Sequence, residues 1–259
     1  MNELQSLEQQ LQTIFQPNTG MEDMAWKDSM KGLLFDLSSY IRKGLDVFRK
    51  PLVVADLGPA RGIEDRKNYM DLMPKFIITP DGFQGNMTDF VVTLTECLWL
   101  VNKTTSSELD AFNRWLGKVI SDGNLNISMA PNFKTMLAKQ DALKTWITDK
   151  PTTVTFGQAF TSLGAFPATV EKFNQGVRSV KITAPAEFHR RVARTDELSD
   201  ILYKLMESGE VDLGDTTGNK FIAEKLMEMA RFVTFAGSVF ALTIQTGNAL
   251  TETAKRLAK

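Results

Sequence analysis

Residues 232–251 contain no Asp, Glu, Lys or Arg. Such a stretch must be buried in protein or placed in a bilayer, whose hydrocarbon core takes roughly 20 apolar residues as a helix. Gln245, Asn248 and several threonines interrupt it, and only residues 232–244 are strongly apolar, which favours a buried central helix over a membrane span. Around it, Ile222, Leu226, Met229, Val233, Ala236, Phe240, Thr243, Gly247, Leu250, Ala254 and Leu257 alternate steps of four and three. This heptad-like seam predicts a final helix of about forty residues. A second row, Phe232, Phe235, Val239 and Leu242, lies on another face, and a helix apolar on two faces must be covered on two sides. The preceding helix, folded back as an αα-hairpin, accounts for one side. The rest of the chain or another subunit accounts for the other, so these four residues are the candidate interface.

Upstream, helical periodicity recurs. Leu4, Leu7, Leu11 and Ile14 mark a first helix, ended by Pro17, Asn18 and Gly20. Thr19 and Glu22 have capping-box spacing for a second, whose stripe runs through Met30, Leu33, Leu37, Ile41 and Phe48 to Pro51. Val91, Leu94, Leu98 and Val101 predict another. A capping box at Thr105 and Glu108 then predicts a new start before Leu109, Phe112, Leu116 and Val119. Phe133, Met136, Leu137, Trp146 and Ile147 suggest one more, and residues 148–167, with Pro151, Gly157, Gly164 and Pro167, read as a connector with room for one short strand or helix. Val170, Phe173, Val177 and Val180 form a short stripe. Pro185 suits the first turn of a helix running through Phe188, Val192, Leu198, Leu202 and Leu205 to Gly209.

Residues 51–86 differ. Leu52-Val53-Val54 and Phe76-Ile77-Ile78 are short apolar runs with strand character, and Pro80-Asp81-Gly82 is a turn, with Pro presetting one dihedral and Gly accepting positive φ. The expected fold class is mainly α: a multi-helix bundle with a long C-terminal helical hairpin and a minor irregular or β region around 51–86. The expected division is 1–165, a helical region with an irregular insertion, and 166–259, the hairpin, with one continuous domain as the alternative.

Composition narrows the function classes. With 43% hydrophobic and 24% charged residues, the chain is globular rather than disordered. A net charge of -1 and pI near 6 give no global attraction to nucleic acid or anionic lipid, so such binding requires a local patch. One cysteine, Cys97, excludes an intramolecular disulfide and suits a reducing compartment. Residues 1–12 have neither a basic start nor an apolar core, so no signal peptide is expected.

The chemistry-bearing residues are few. His189 is the single histidine, and with Cys97 it supplies too few soft ligands for zinc. Cys97 itself reads as a buried helix thiol. Gly58-Pro59-Ala60-Arg61-Gly62 lacks the P-loop lysine and the three-glycine fingerprint. Glu210, Asp212 and Asp215 miss the EF-hand spacing. Glu64 with Asp65, and Glu108 with Asp110, read as helix-start acids. No catalytic residue, metal site or cofactor is therefore expected. Lys181, His189, Arg190, Arg191 and Arg194 form the strongest basic cluster. Arg190 and Arg194 lie one turn apart, and with Arg191 they are candidate phosphate contacts; Asp196, Glu197 and Asp200 follow and offset them in part. The small residues Ala236-Gly237-Ser238 and Ala241 favour close helix approach, which would offset the roughly 1 kcal/mol that Gly237 costs mid-helix.

The segment Phe232-Val233-Thr234-Phe235-Ala236-Gly237-Ser238-Val239-Phe240-Ala241-Leu242, then Gly247-Asn248-Ala249-Leu250, together with the cysteine- and histidine-poor composition and the polar first helix, resembles virion structural proteins of large tailed bacteriophages. The resemblance covers mostly the last third of the chain and carries no functional residue. It implies a non-enzymatic structural or assembly protein of a virion or the bacterial cytoplasm, whose partners are itself or other structural proteins. The alternatives are a nucleic-acid-associated protein using the basic helix and a membrane-interacting protein using the uncharged helix.

Overall fold

The computed structural model describes residues 3–15, 23–46, 51–122, 133, 139–150, 152–182 and 216–259, and, within 190–208, residues 190, 191, 193–195, 197, 198, 200, 201, 204 and 208. The fold is mainly α, as the periodicities predict. Helix α1 is Glu3–Ile14, α2 Asp23–Leu45, α3 Ile63–Arg66, α4 Tyr69–Leu72, α5 Met87–Asp122, α6 Gln140–Lys144, α7 Phe156–Ala159, α8 Ala165–Ile182 and α9 Thr216–Ala258. The described residues of 190–208 are also helical. The capping box at Thr19 and Glu22, His189, Glu210, Asp212 and Asp215 lie outside the described residues.

The chain forms two compact units, each assembled from three separated stretches. The first comprises residues 1–49, 103–135 and 186–237; the second comprises 50–102, 136–185 and 238–259. The expected boundary at 165/166 falls inside the second unit.

In the first unit, α2 buries Met30, Leu33, Leu37 and Ile41 of the stripe read from the sequence, whose Phe48 lies outside the described residues, and α1 buries Leu7 and Ile14. Phe133 stacks on Phe232 with ring centroids 5.1 Å apart, and Trp115 meets Phe221 edge-on at 6.0 Å. Polar ties close the periphery: Tyr40 and Thr234 share a 2.8 Å hydrogen bond, and Arg231 donates to Glu8 at 2.8 Å.

In the second unit, the region 51–86 is irregular, and neither apolar run becomes a strand. Phe76 makes only an isolated antiparallel bridge to Thr155, as does Phe83 to Ile147. Three-residue runs cannot extend a ladder, and side chains complete what backbone pairing leaves. Ala55 N donates to Asn174 Oδ1 at 2.8 Å, Asn174 Nδ2 donates to Ala55 O at 2.9 Å, and Asp56 N donates to Thr251 Oγ1 at 2.9 Å. The Pro80-Asp81-Gly82 turn forms as expected: Phe83 N donates to Pro80 O at 3.1 Å, with Gly82 at φ +69°. A Cβ there would stand 2.0 Å from Thr148 O. The expected connector 148–167 contains α7, capped by a complete Thr155–Gln158 capping box. Pro167 proves to lie in the first turn of α8, where its missing N–H has no acceptor to lose.

Two expectations about the long helices are corrected. The predicted restart at Thr105 and Glu108 does not occur, because α5 runs unbroken from Met87 to Asp122. Thr104 is buried and bridges the stripe between Val101 and Leu109, and no Gly or Pro interrupts it there. Glu108 and Asp110 are therefore mid-helix residues rather than helix-start acids. In α9 every member of the heptad-like seam is buried. So are Phe232, Phe235 and Val239 of the second row, while Leu242 is half-buried. The chain covers the seam, Phe232, Phe235 and Val239 itself, so these three candidate side chains are not an exposed interface in this fold, and Leu242 alone of the four keeps part of its surface open. By length and composition residues 220–258 are apolar enough to cross a membrane, and 56% of the most apolar window is buried within the protein, as suits a core helix. Of the small residues, Ala236 is fully buried and Gly237 half-buried, while Ser238 and Ala241 are exposed.

Candidate functional site

Helix α5 buries Leu109, Phe112, Leu116 and Val119 on one side, which turns Asp110, Asn113, Arg114, Gly117, Lys118 and Ser121 to the other. These six residues, with Arg190, Arg191 and Arg194, line an open groove of about 700 Å³ within the first unit. A Cβ on Gly117 would meet nothing within 4 Å, so the groove stays open at that point.

The two walls are fastened by one polar latch. Arg191 Nε donates to Asp110 Oδ1 at 2.9 Å, and Asn113 Nδ2 donates to the Arg191 carbonyl at 3.1 Å. Fully buried Thr195 places its hydroxyl 2.8 Å from Asn113 Oδ1. The Arg191 side chain is only 17% exposed. A guanidinium so enclosed and paired serves to position the wall, so Arg191 departs from the role expected of it. Arg190 and Arg194 are exposed at the groove, as are Arg114 and Lys118. Arg194 also pairs with Glu197 at 2.7 Å. Among the described residues, neither Arg114 nor Arg190 has an ion-pair partner.

The acids expected to offset the basic cluster do so only in part. Asp200 turns to Lys204 at 2.8 Å and Arg42 at 2.9 Å, and those hydrogen bonds, Lys204 first, hold its carboxyl below the ordinary carboxylate value. Asp196 lies outside the described residues. Among the described residues the groove is therefore lined by five cationic side chains and one carboxylate, Asp110, on a chain of net charge -1. No family model, curated protein or solved structure matches this chain.

The other chemistry-bearing residues converge on nothing. Cys97 is buried in α5, and that burial pushes its thiol up to about 11, although Lys139 opposes the rise. A thiol held protonated is a poor nucleophile at neutral pH. Residues 58–60 form a single 3₁₀ turn in which Gly58 N donates to Asp56 Oδ1 at 2.8 Å, so the local carboxylate occupies the amide that a phosphate cradle would need. Among the described residues no three His, Cys, Asp or Glu side chains cluster to hold a metal ion. Sequence reasoning found Arg190 and Arg194 from their spacing but missed Arg114 and Lys118. Those two are also one turn apart, on the polar side of the Leu109–Val119 stripe, and that spacing was the available signal.

Proposed function

We propose that this is a non-enzymatic structural protein that works by association with other proteins, either copies of itself or neighbouring components of a bacteriophage particle. The particle setting rests on the resemblance of the last third of the chain to virion proteins. The association rests on one observation outside that third. Met70, Met73 and Phe76 are 65%, 41% and 64% exposed, three large apolar side chains between residues 70 and 76. Single exposed apolar residues are ordinary, whereas a concentration of them rimmed by polar groups, here Asp71 and Lys75, marks an interaction surface.

This segment is held in shape. Tyr69 OH donates to Phe160 O at 2.8 Å, Asn68 caps α4 through Met70 N, and Phe76 is bridged to Thr155. A surface fixed in this way loses less entropy on docking than a free loop. Light scattering coupled to size exclusion tests the reading, with self-association of the native chain expected and its loss expected in M70D/F76D. A monomer at every concentration, together with no capture of particle proteins by the immobilised native chain, overturns it.

A further inference from the structure

We infer that the groove between α5 and the 190–194 wall binds the phosphate backbone of a nucleic-acid duplex, through Arg114, Lys118, Arg190 and Arg194. The cations form two pairs, one on each wall, each pair separated by one helical turn. Such neighbours stand about 5–6 Å apart at their Cβ atoms, a spacing that suits successive phosphates along a strand. Arg191 belongs to the site as a positioning residue: its bond to Asp110 and the Asn113 bond to its carbonyl hold the second wall against the first. Asp110 is thereby neutralised by the largely buried Arg191, and the four exposed cations flank the groove, with Arg194 also held by Glu197.

The lining chemistry selects the form of nucleic acid. Single-strand binders combine a basic track with aromatic side chains on which bases stack, a contribution of about 1–3 kcal/mol per base. Among the described residues lining this groove there is no Phe, Tyr, Trp or His. They also include little that could read a base edge, since Asn113 is committed to the latch at both ends. Binding through such a site is sequence-independent and is carried by the release of counterions from phosphate.

The test is a titration of the full chain with a labelled duplex across salt concentrations. Four phosphate contacts correspond to a slope of log affinity against log salt near −3.6, roughly a hundredfold loss between 50 and 200 mM salt. R114A/R190A should reduce that slope by about 2, one per lost contact. K144A/R178A, which removes the same charge from exposed positions outside the groove, should leave it unchanged. An R191K variant, which keeps the charge and loses the planar fork, should weaken binding while leaving helical content intact. The inference is overturned by absence of duplex binding at low salt or by equal slopes for the two double variants. It is likewise overturned by tighter binding of single strands, or by displacement with inorganic pyrophosphate at concentrations matched in phosphate, which would make the groove a small-anion site. Circular dichroism of R114A/R190A guards the comparison; both side chains are exposed, and a folded variant is expected.

Discussion

At Ala55 both backbone polar groups are taken by one side-chain amide. Asn174 accepts from the N–H and donates to the carbonyl, in the way a neighbouring strand would. Both residues are buried, so water cannot replace the amide. Leucine at position 174 would fill similar space and leave two backbone groups unpaired, each costing about 1–3 kcal/mol. N174L should lower stability by roughly 2–6 kcal/mol, read as a fall in the urea midpoint with an unchanged slope, and a midpoint within error of the native one would show that the pairing is dispensable. Contacts of this kind were illegible in the sequence because they join distant residues: Asn174 is 119 positions from Ala55, and Arg191 is 81 from Asp110. Arg190 and Arg194 were legible because helical spacing is local. The burial of Arg191 was not, since nothing in its neighbours indicates which of three arginines turns inward.

Helices were read well where one stripe persisted and less well where a polar residue stood inside it. The α9 seam survives intact, threonine and glycine included, because its steps of four and three continue on both sides of them. In α5 the polar run 102–108 resembled an interruption, yet buried Thr104 keeps the stripe in phase. The strand expectation for 52–54 and 76–78 failed because apolar runs that short fit either a strand or a buried irregular segment. Gly247 in α9 links these regions of the second unit. A Cβ there would stand 2.9 Å from Val53 O and 3.3 Å from the Phe173 ring. Alanine gains about 1 kcal/mol of helix propensity over glycine, while overpacking costs about 1–3 kcal/mol. The Val53 carbonyl has little room to retreat, since Ala55 and Asp56 just beyond it are bonded to Asn174 and Thr251. The steric cost should win, leaving G247A about 1 kcal/mol less stable in a thermal or urea melt. A variant more stable than the native protein would show that residues 52–55 yield.

For the molecule as a whole, the organisation into units could not be read from the sequence, because neither unit is contiguous. A composition shift marks a boundary only where one stretch of chain ends a unit, and here each unit returns to the chain three times. The second unit carries its own reporter, the buried Cys97. In the native protein this thiol should resist an aromatic disulfide reagent at neutral pH, and removal of residues 238–259, which belong to the same unit, should make it react at the rate of a free thiol. A truncated chain whose Cys97 stays protected would mean that the unit's core closes without its last piece. The interleaving also bears on synthesis. A ribosome emits the chain in order, and domains that are continuous in sequence fold as they emerge. Here residues 186–237 are needed to finish one unit and 238–259 the other, so both hold apolar surface open until α9 has emerged. Until then the nascent chain presents the kind of apolar surface that makes incompletely folded chains aggregate, and the emergence of α9 from the ribosome removes it.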